Sequence, residues 1–175
     1  ADTEWLEVAG PAGVDLSAFV VVLYNGNGGA PYNTTALSGT IDDEGCGYGA
    51  VDLVYGVANS LQNGAPDGVA LAQVSGGITS LVQFLSYEGT FTGVGGPADG
   101  VEAVEIGAQL GTENTLQLGG TATDYSGFAW ETNAPSRGSL NANQSITGCT
   151  PAPVTNVLFT ASAASVDENA GTYEI

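Results

Sequence analysis

The densest group of side chains that could do chemistry is the acidic run Asp42, Asp43 and Glu44, which Gly45 follows. Calcium prefers several oxygen ligands from carboxylates and carbonyls, and adjacent carboxylates beside a glycine turn can supply some of them. We therefore predict a calcium site at these three residues, although the spacing does not match an EF-hand loop and a solvated acidic turn is the competing interpretation. Asp2 and Glu4 form a second, weaker acidic candidate.

Catalysis is not expected, because the residue types that usually perform it are missing. The chain has no His and no Lys, and Arg137 is its single basic residue. General bases are most often His, and Schiff bases need Lys. A glycosidase would need two acids facing each other across a cleft, and nothing in the sequence indicates one. No Gly-x-Ser-x-Gly elbow or phosphate-binding glycine loop occurs. We predict a non-enzyme without a cofactor, and calcium is the one ion for which the sequence offers a candidate site.

The charge of the chain limits its partners. There are 19 acidic residues and one basic residue, which gives a formal charge of −18. Nucleic-acid binding depends on Lys and Arg at the phosphates, and anionic membranes repel the same sign of charge. No run of about 18 apolar residues exists that could span a bilayer. The composition fits a salty or calcium-containing exterior such as seawater, and it fits a halophile equally well.

Cys46 and Cys149 are predicted to form a disulfide, because they are an even pair in an acidic, glycine-rich chain. Two buried free thiols are the alternative. A bridge would close a loop of roughly 100 residues and stabilise the fold by up to about 4–5 kcal/mol. The chain starts at Ala1 without Met, as a processed secreted chain or an artificially started one would. We expect a bacterial protein that is extracellular or at the cell surface.

These groups must be positioned by β-strands. The 27 glycines fall in clusters that mark turns, and between them lie short runs rich in Val, Leu, Tyr, Phe and Thr. Strands are predicted at 5–8, 19–24, 50–55, 69–74, 81–87, 115–118 and 128–131. No segment shows a capped helical period, and at most one or two helical turns are expected near 57–62. This pattern predicts an antiparallel β-sandwich with long, glycine-rich loops.

Aromatic residues on the predicted strands have two interpretations. They could line a carbohydrate-binding face, or they could form the core, which is the more common role of aromatic residues in strands. Carbohydrate is therefore the weaker prediction. The residues concerned are Trp5, Tyr24, Tyr55, Phe84, Phe128 and Trp130.

Residues 4–19, EWLEVAGPAGVDLSAF, resemble the opening of lamin-tail-like domains of secreted bacterial proteins. Further segments similar to that family follow in the same order, so the resemblance covers about residues 1–147: 20–25, 63–69, 81–89, 116–118 and 128–130. The resemblance implies an immunoglobulin-like β-sandwich that acts as a non-catalytic module beside secreted nucleases, phosphatases or adhesive repeats. Family members usually carry one earlier strand, and its absence would leave an unpaired sheet edge.

Residues 165–172, SVDENAGT, are similar to the start of a Calx-β repeat. The resemblance implies a calcium site at Asp167 and Glu168 like that of some Calx-β domains, but the full ligand set is missing from this chain. The predicted organisation is a lamin-tail-like sandwich over 1–149, a linker over 150–156 and a β-segment over 157–175. A partial repeat cannot bury a core of its own. We therefore predict that 157–175 pairs with a sheet edge of this chain or of a neighbour.

The function that these features favour is a structural or adhesive module that assembles by strand exchange into a fibre or surface layer. Its expected partners are further copies of itself or neighbouring β-domains. Two alternatives stay open from the sequence. One is an accessory domain of a secreted nuclease or phosphatase, and the other is a calcium-dependent binding module.

Overall fold

The computed structural model describes residues 4–56, 60–62, 64–108, 114–149 and 157–162. In these residues the chain is all-β, with eleven strands and three short 3₁₀ helices. It divides into two compact units. Unit 1 comprises Ala1–Val14, Thr40–Ser60 and Gln109–Ile175, and unit 2 comprises Asp15–Gly39 and Leu61–Ala108. Each unit contains one sheet.

The sheet of unit 1 has six strands. They are β1 (Glu4–Pro11), β4 (Tyr48–Tyr55), β8 (Thr115–Ala122), β9 (Ala129–Asn133), β10 (Gln144–Ile146) and β11 (Leu158–Ser162). Their order is β10-β8-β11-β1-β4, and β9 also pairs with β8. All pairs are antiparallel except β10 with β8, which is parallel.

The sheet of unit 2 has five strands in the order β3-β2-β5-β6-β7. They are β2 (Phe19–Asn25), β3 (Pro31–Ala36), β5 (Asp67–Ser75), β6 (Ile78–Tyr87) and β7 (Val104–Glu105). Gly76 and Gly77 join β5 to β6 with φ of 58° and 80°. Two consecutive positive φ angles define the hairpin turn that suits the twist of the flanking strands, and glycine adopts them without steric cost.

The core of unit 2 is built around one buried tyrosine. The ring of Tyr24 lies 5.0 Å from that of Phe84, and Phe84 meets Phe91 edge to face at 5.4 Å. The Tyr24 hydroxyl donates to the Gly95 carbonyl at 2.9 Å and accepts from the Ala98 N–H at 3.0 Å. The polar end of this buried ring is therefore satisfied while its body packs in the core.

The all-β class, the dominant antiparallel pairing and the disulfide are confirmed, in agreement with a β-sandwich. Every strand predicted from an apolar run is present. The strands β3, β7 and β10 were not predicted, because they are short or polar and carry no hydrophobic signal. Of the segment 57–62, where one or two helical turns were predicted, residues 57–59 lie outside the described residues, and residues 60–62 are described and are not helical. Within the part of the chain that the structure describes, no helix is long and apolar enough to cross a membrane.

The segment predicted to pair with a sheet does so where it is described. Residues 158–162 form β11, which pairs with β1 and β8 of the same chain. The predicted linker 150–156 and the residues 163–175, which include Asp167 and Glu168, lie outside the described residues, as does Asp2.

Candidate functional site

The acidic run lies in the turn that leads into β4. One oxygen of Asp43, Oδ1, accepts the N–H groups of Gly45 at 3.0 Å and Gly47 at 3.1 Å. Glu44 reaches two separate segments, because Oε1 accepts the Ala50 N–H at 2.9 Å and Oε2 accepts the Leu140 N–H at 2.6 Å. These two carboxylates therefore bind the backbone and hold the turn in place.

The same turn positions the disulfide. Cys46 has a φ of 56°, a left-handed conformation that is uncommon for a residue with a side chain. Its flanking glycines, Gly45 and Gly47, also have positive φ. Cys46 is bonded to Cys149 across a sequence separation of 103, with the Cα atoms 4.6 Å apart. The glycines let the chain turn sharply enough to present the Cys46 sulfur to its partner.

Calcium binding at Asp42, Asp43 and Glu44 stays a prediction. Asp42 is exposed, while Asp43 and Glu44 accept backbone N–H groups. Over the described ranges, no group of three or more His, Cys, Asp or Glu side chains is arranged to hold a metal ion. Glu4 is described, but Asp2, with which it was paired as a second candidate, is not.

A buried, hydrogen-bonded amide of unit 1 lies beside β11. Asn141 is 2% exposed, and its Nδ2 donates to the carbonyls of Leu118 at 3.1 Å and Thr160 at 3.0 Å. Backbone pairing between β8 and β11 covers two residue pairs, Ala161 with Gln117 and Ser162 with Leu116. Continuing that register would pair Thr160 with Leu118. The Asn141 amide therefore bridges the two strands at the position where their own pairing ends.

Asn141 belongs to a loop, residues 134–143, that we call the clasp loop. It is fixed to β8 through the buried side chain of Gln117, whose Nε2 donates to the Ala134 carbonyl at 3.1 Å. The Ser136 hydroxyl lies 3.4 Å from Gln117 Oε1 and 3.2 Å from Asn141 Oδ1. These contacts hold the Asn141 side chain in the orientation that reaches β8 and β11.

The clasp loop is also fixed to β1 and β4. Glu7, fully buried in β1, accepts the Gly138 N–H at 2.8 Å. Arg137 forms an ion pair of 2.7 Å with Asp52 of β4, and its guanidinium lies 5.6 Å from the centre of the Trp5 ring. Arg137, the single basic residue of the protein, therefore holds the clasp loop against β1 and β4.

The strand that the clasp loop holds is an interior strand. On its other side, β11 pairs with β1, with Leu6 opposite Ser162 and Ala9 opposite Leu158. We call the space between β1 and β8 the β11 slot. Without β11, one edge of β1 and part of one edge of β8 would lose their hydrogen-bond partners, and such edges readily accept another strand.

The aromatic residues considered for a sugar-binding face do not form one. Tyr24 and Phe84 belong to the core of unit 2, and Trp5 and Tyr55 are 2% and 3% exposed in unit 1. Four of the six are therefore core residues, as the more common role of strand aromatics predicts. The other two, Phe128 and Trp130, are partly exposed.

No protein-family model, curated protein or solved structure shows a significant match to this chain. The resemblances to lamin-tail-like domains and to the Calx-β repeat stay predictions.

Proposed function

We propose that the protein is a non-catalytic, extracellular structural or adhesive module whose copies assemble by exchanging β11. The observation that carries this proposal is the place of β11 in the sheet. The strand comes from the C-terminal side of the described chain, yet it lies between β1 and β8 in the interior of the unit 1 sheet.

The β11 slot can accept the β11 strand of a second copy as well as that of its own chain. The β11 of a second copy would form the same backbone hydrogen bonds in the slot and accept the same Asn141 bridge. Exchange of an identical element between copies is a low-cost route to assembly, because few new contacts have to be created. The fully extended reach from Cys149 to Val157 is at most about 29 Å, which limits the distance between the disulfide and the slot that the strand fills.

The charge of the chain supports an assembly that depends on its medium. Copies that each carry a formal charge of −18 repel one another at low salt. Salt shortens the range of that repulsion, to about 3 Å at molar concentration. Exchange should therefore be favoured in a salty exterior. The disulfide agrees with an oxidising extracellular compartment, and the lack of His and Lys agrees with a module without catalysis.

The experiment is light scattering on the full chain at several protein and salt concentrations. We expect a mean mass above the 17.4 kDa of one chain, rising with both concentrations. An excess of a synthetic peptide covering residues 157–175 should lower the mass by occupying the slot, and a scrambled peptide should not. A mass of one chain under all conditions would contradict the proposal.

A further inference from the structure

The turn that joins β2 to β3 contains two consecutive Asn-Gly pairs, Asn25-Gly26 and Asn27-Gly28. An asparagine before a glycine can lose its side-chain amide without an enzyme, because the backbone nitrogen of the glycine attacks the amide carbon. Glycine has no Cβ atom to hinder that approach. In a folded protein the reaction also requires that the backbone nitrogen and the amide carbon are free to meet. The structure separates the two pairs by this criterion.

The first pair is held by hydrogen bonds. The Gly26 N–H donates to Asp67 Oδ1 at 2.9 Å, and Asp67 is 1% exposed. The Asn25 side chain is engaged as well, because its Oδ1 accepts the Asn27 N–H at 2.7 Å. Attack of the Gly26 nitrogen on Asn25 would therefore take a donor away from a buried acceptor and break a second contact at the amide itself.

The second pair lies at the exposed apex of the turn. Asn27 and Gly28 are both exposed, and a Cβ atom added to Gly28 would meet no atom of another part of the chain within 4 Å. Among the residues that the structure describes, neither the Gly28 N–H nor the Asn27 side-chain amide has a hydrogen-bond partner. The chain is fixed again at Gly29, whose carbonyl accepts the Val94 N–H at 2.8 Å. The Asn27-Gly28 pair is therefore the unanchored part of the turn.

We propose that Asn27 is a site of spontaneous deamidation in the folded protein and that Asn25 is protected from it. Hydroxide takes the Gly28 N–H proton, and the nitrogen bonds to Asn27 Cγ. The bond from Cγ to Nδ2 then breaks, and Nδ2 takes a proton from water and leaves as ammonia. Water opens the resulting succinimide at either carbonyl, which leaves aspartate or isoaspartate at position 27.

The modification changes the turn in two ways. Both products add one negative charge at its apex, and isoaspartate also adds one carbon atom to the backbone before the edge strand β3. This inference does not depend on exchange of β11, because the turn belongs to unit 2 and the strand to unit 1. Deamidation at Asn27 can therefore fail while strand exchange holds, and the reverse is also true.

The test compares the folded chain with the same chain unfolded in guanidinium chloride, both incubated at mildly alkaline pH for a series of times. Chymotrypsin cleaves after Tyr24 and Tyr32, so residues 25–32 form one fragment that contains both pairs. Fragmentation in the mass spectrometer then assigns each conversion to position 25 or 27. In the unfolded chain we expect similar rates at the two positions.

In the folded chain, we expect position 27 to convert and position 25 to convert at least about fivefold more slowly than position 27. This ratio corresponds to the cost of leaving a buried acceptor unsatisfied. Equal rates at the two positions of the folded chain would overturn the proposal. So would a folded chain in which Asn27 stays intact while the unfolded chain converts.

Matched variants assign the reaction to its residues. Asn27→Gln keeps an amide but requires a larger ring to close, so the conversion of the 25–32 fragment should nearly disappear. Conversion that persists in this variant would overturn the proposal. Asn143→Gln, at an exposed asparagine that no glycine follows, is the control and should leave the rate at position 27 unchanged. Asp67→Ala frees the Gly26 N–H and should raise the rate at position 25 several-fold. If that variant does not fold, the comparison of folded and unfolded chains decides.

Discussion

Replacing Asn141 with leucine tests whether its amide holds β11 in place. The substitution removes both Nδ2 hydrogen bonds and leaves the carbonyls of Leu118 and Thr160 without that donor. Each buried group left unsatisfied costs about 1–3 kcal/mol. We therefore expect the free energy of unfolding of unit 1 to fall by about 2–5 kcal/mol, which is a large share of the stability of an ordinary domain.

The assay is urea denaturation followed by tryptophan fluorescence. The two tryptophans of the chain, Trp5 and Trp130, lie in β1 and β9, so the signal reports unit 1. With a urea slope of about 2 kcal/mol/M, a loss near 3 kcal/mol lowers the unfolding midpoint by about 1.5 M.

The matched control for this substitution is Asn143→Leu in the same loop. The Asn143 side chain is exposed and donates to Glu131 at 3.2 Å, so its loss should change the stability by less than about 0.5 kcal/mol. Equal shifts of the midpoint in the two variants would show that the Asn141 bridge between β8 and β11 does not stabilise unit 1.

Three further predictions concern other contacts. Replacing both cysteines with alanine should lower stability by up to about 4.7 kcal/mol, as for a loop of roughly 100 residues, and an unchanged urea midpoint would contradict this. Arg137→Met should lower the free energy of unfolding by less than about 1 kcal/mol, because the ion pair with Asp52 is partly exposed. The same substitution should change the fluorescence of Trp5, whose ring lies near the guanidinium. An unchanged spectrum would show that Arg137 does not contact Trp5 in solution. Burial raises the pKa of Asp67 and of Glu88, and the charge of Asp67 adds to the effect on Glu88. The protonated forms therefore favour folding, and their contribution is lost as pH rises through the raised pKa values. Carboxyl ¹³C titrations should show that the pKa values of Asp67 and Glu88 both lie above the ordinary values for their residue types. Asp67→Asn should lower the pKa of Glu88. Ordinary pKa values for Asp67 and Glu88 would contradict this prediction.

The sequence was sufficient to predict the strands that carry apolar runs. Residues 19–24 are nearly continuous in Val, Leu and aromatic residues because β2 is buried, and a buried strand leaves that signal in any context. The strand β3, PYNTTA, is polar and lies at a sheet edge. Its formation depends on pairing with β2, which local composition does not encode.

The candidate site was harder to predict because its main residues are polar and buried. From the sequence alone, Asn141 and Gln117 are ordinary polar residues that could lie in a loop or at the surface. Only the tertiary structure places backbone carbonyls within hydrogen-bonding distance of their side-chain amides. The acidic run Asp42–Glu44 was equally hard to interpret, because adjacent carboxylates can either bind a cation or accept backbone N–H groups. Which of these roles Asp43 has depends on the conformation of the turn, and the sequence does not specify that conformation. The position of β11 between β1 and β8 is a long-range pairing that no local pattern specifies.

Cross-linking between two different chains tests the exchange of β11 most directly. Ala9 on β1 lies opposite Leu158 on β11, so the variants Ala9→Cys and Leu158→Cys can be prepared separately, mixed and oxidised at high salt. We expect a covalent species of two chains in the mixture and not in either variant alone, and the double variant should show that the pair is close enough to bond. A mixture that stays as single chains while the double variant closes within one chain would contradict assembly by strand exchange.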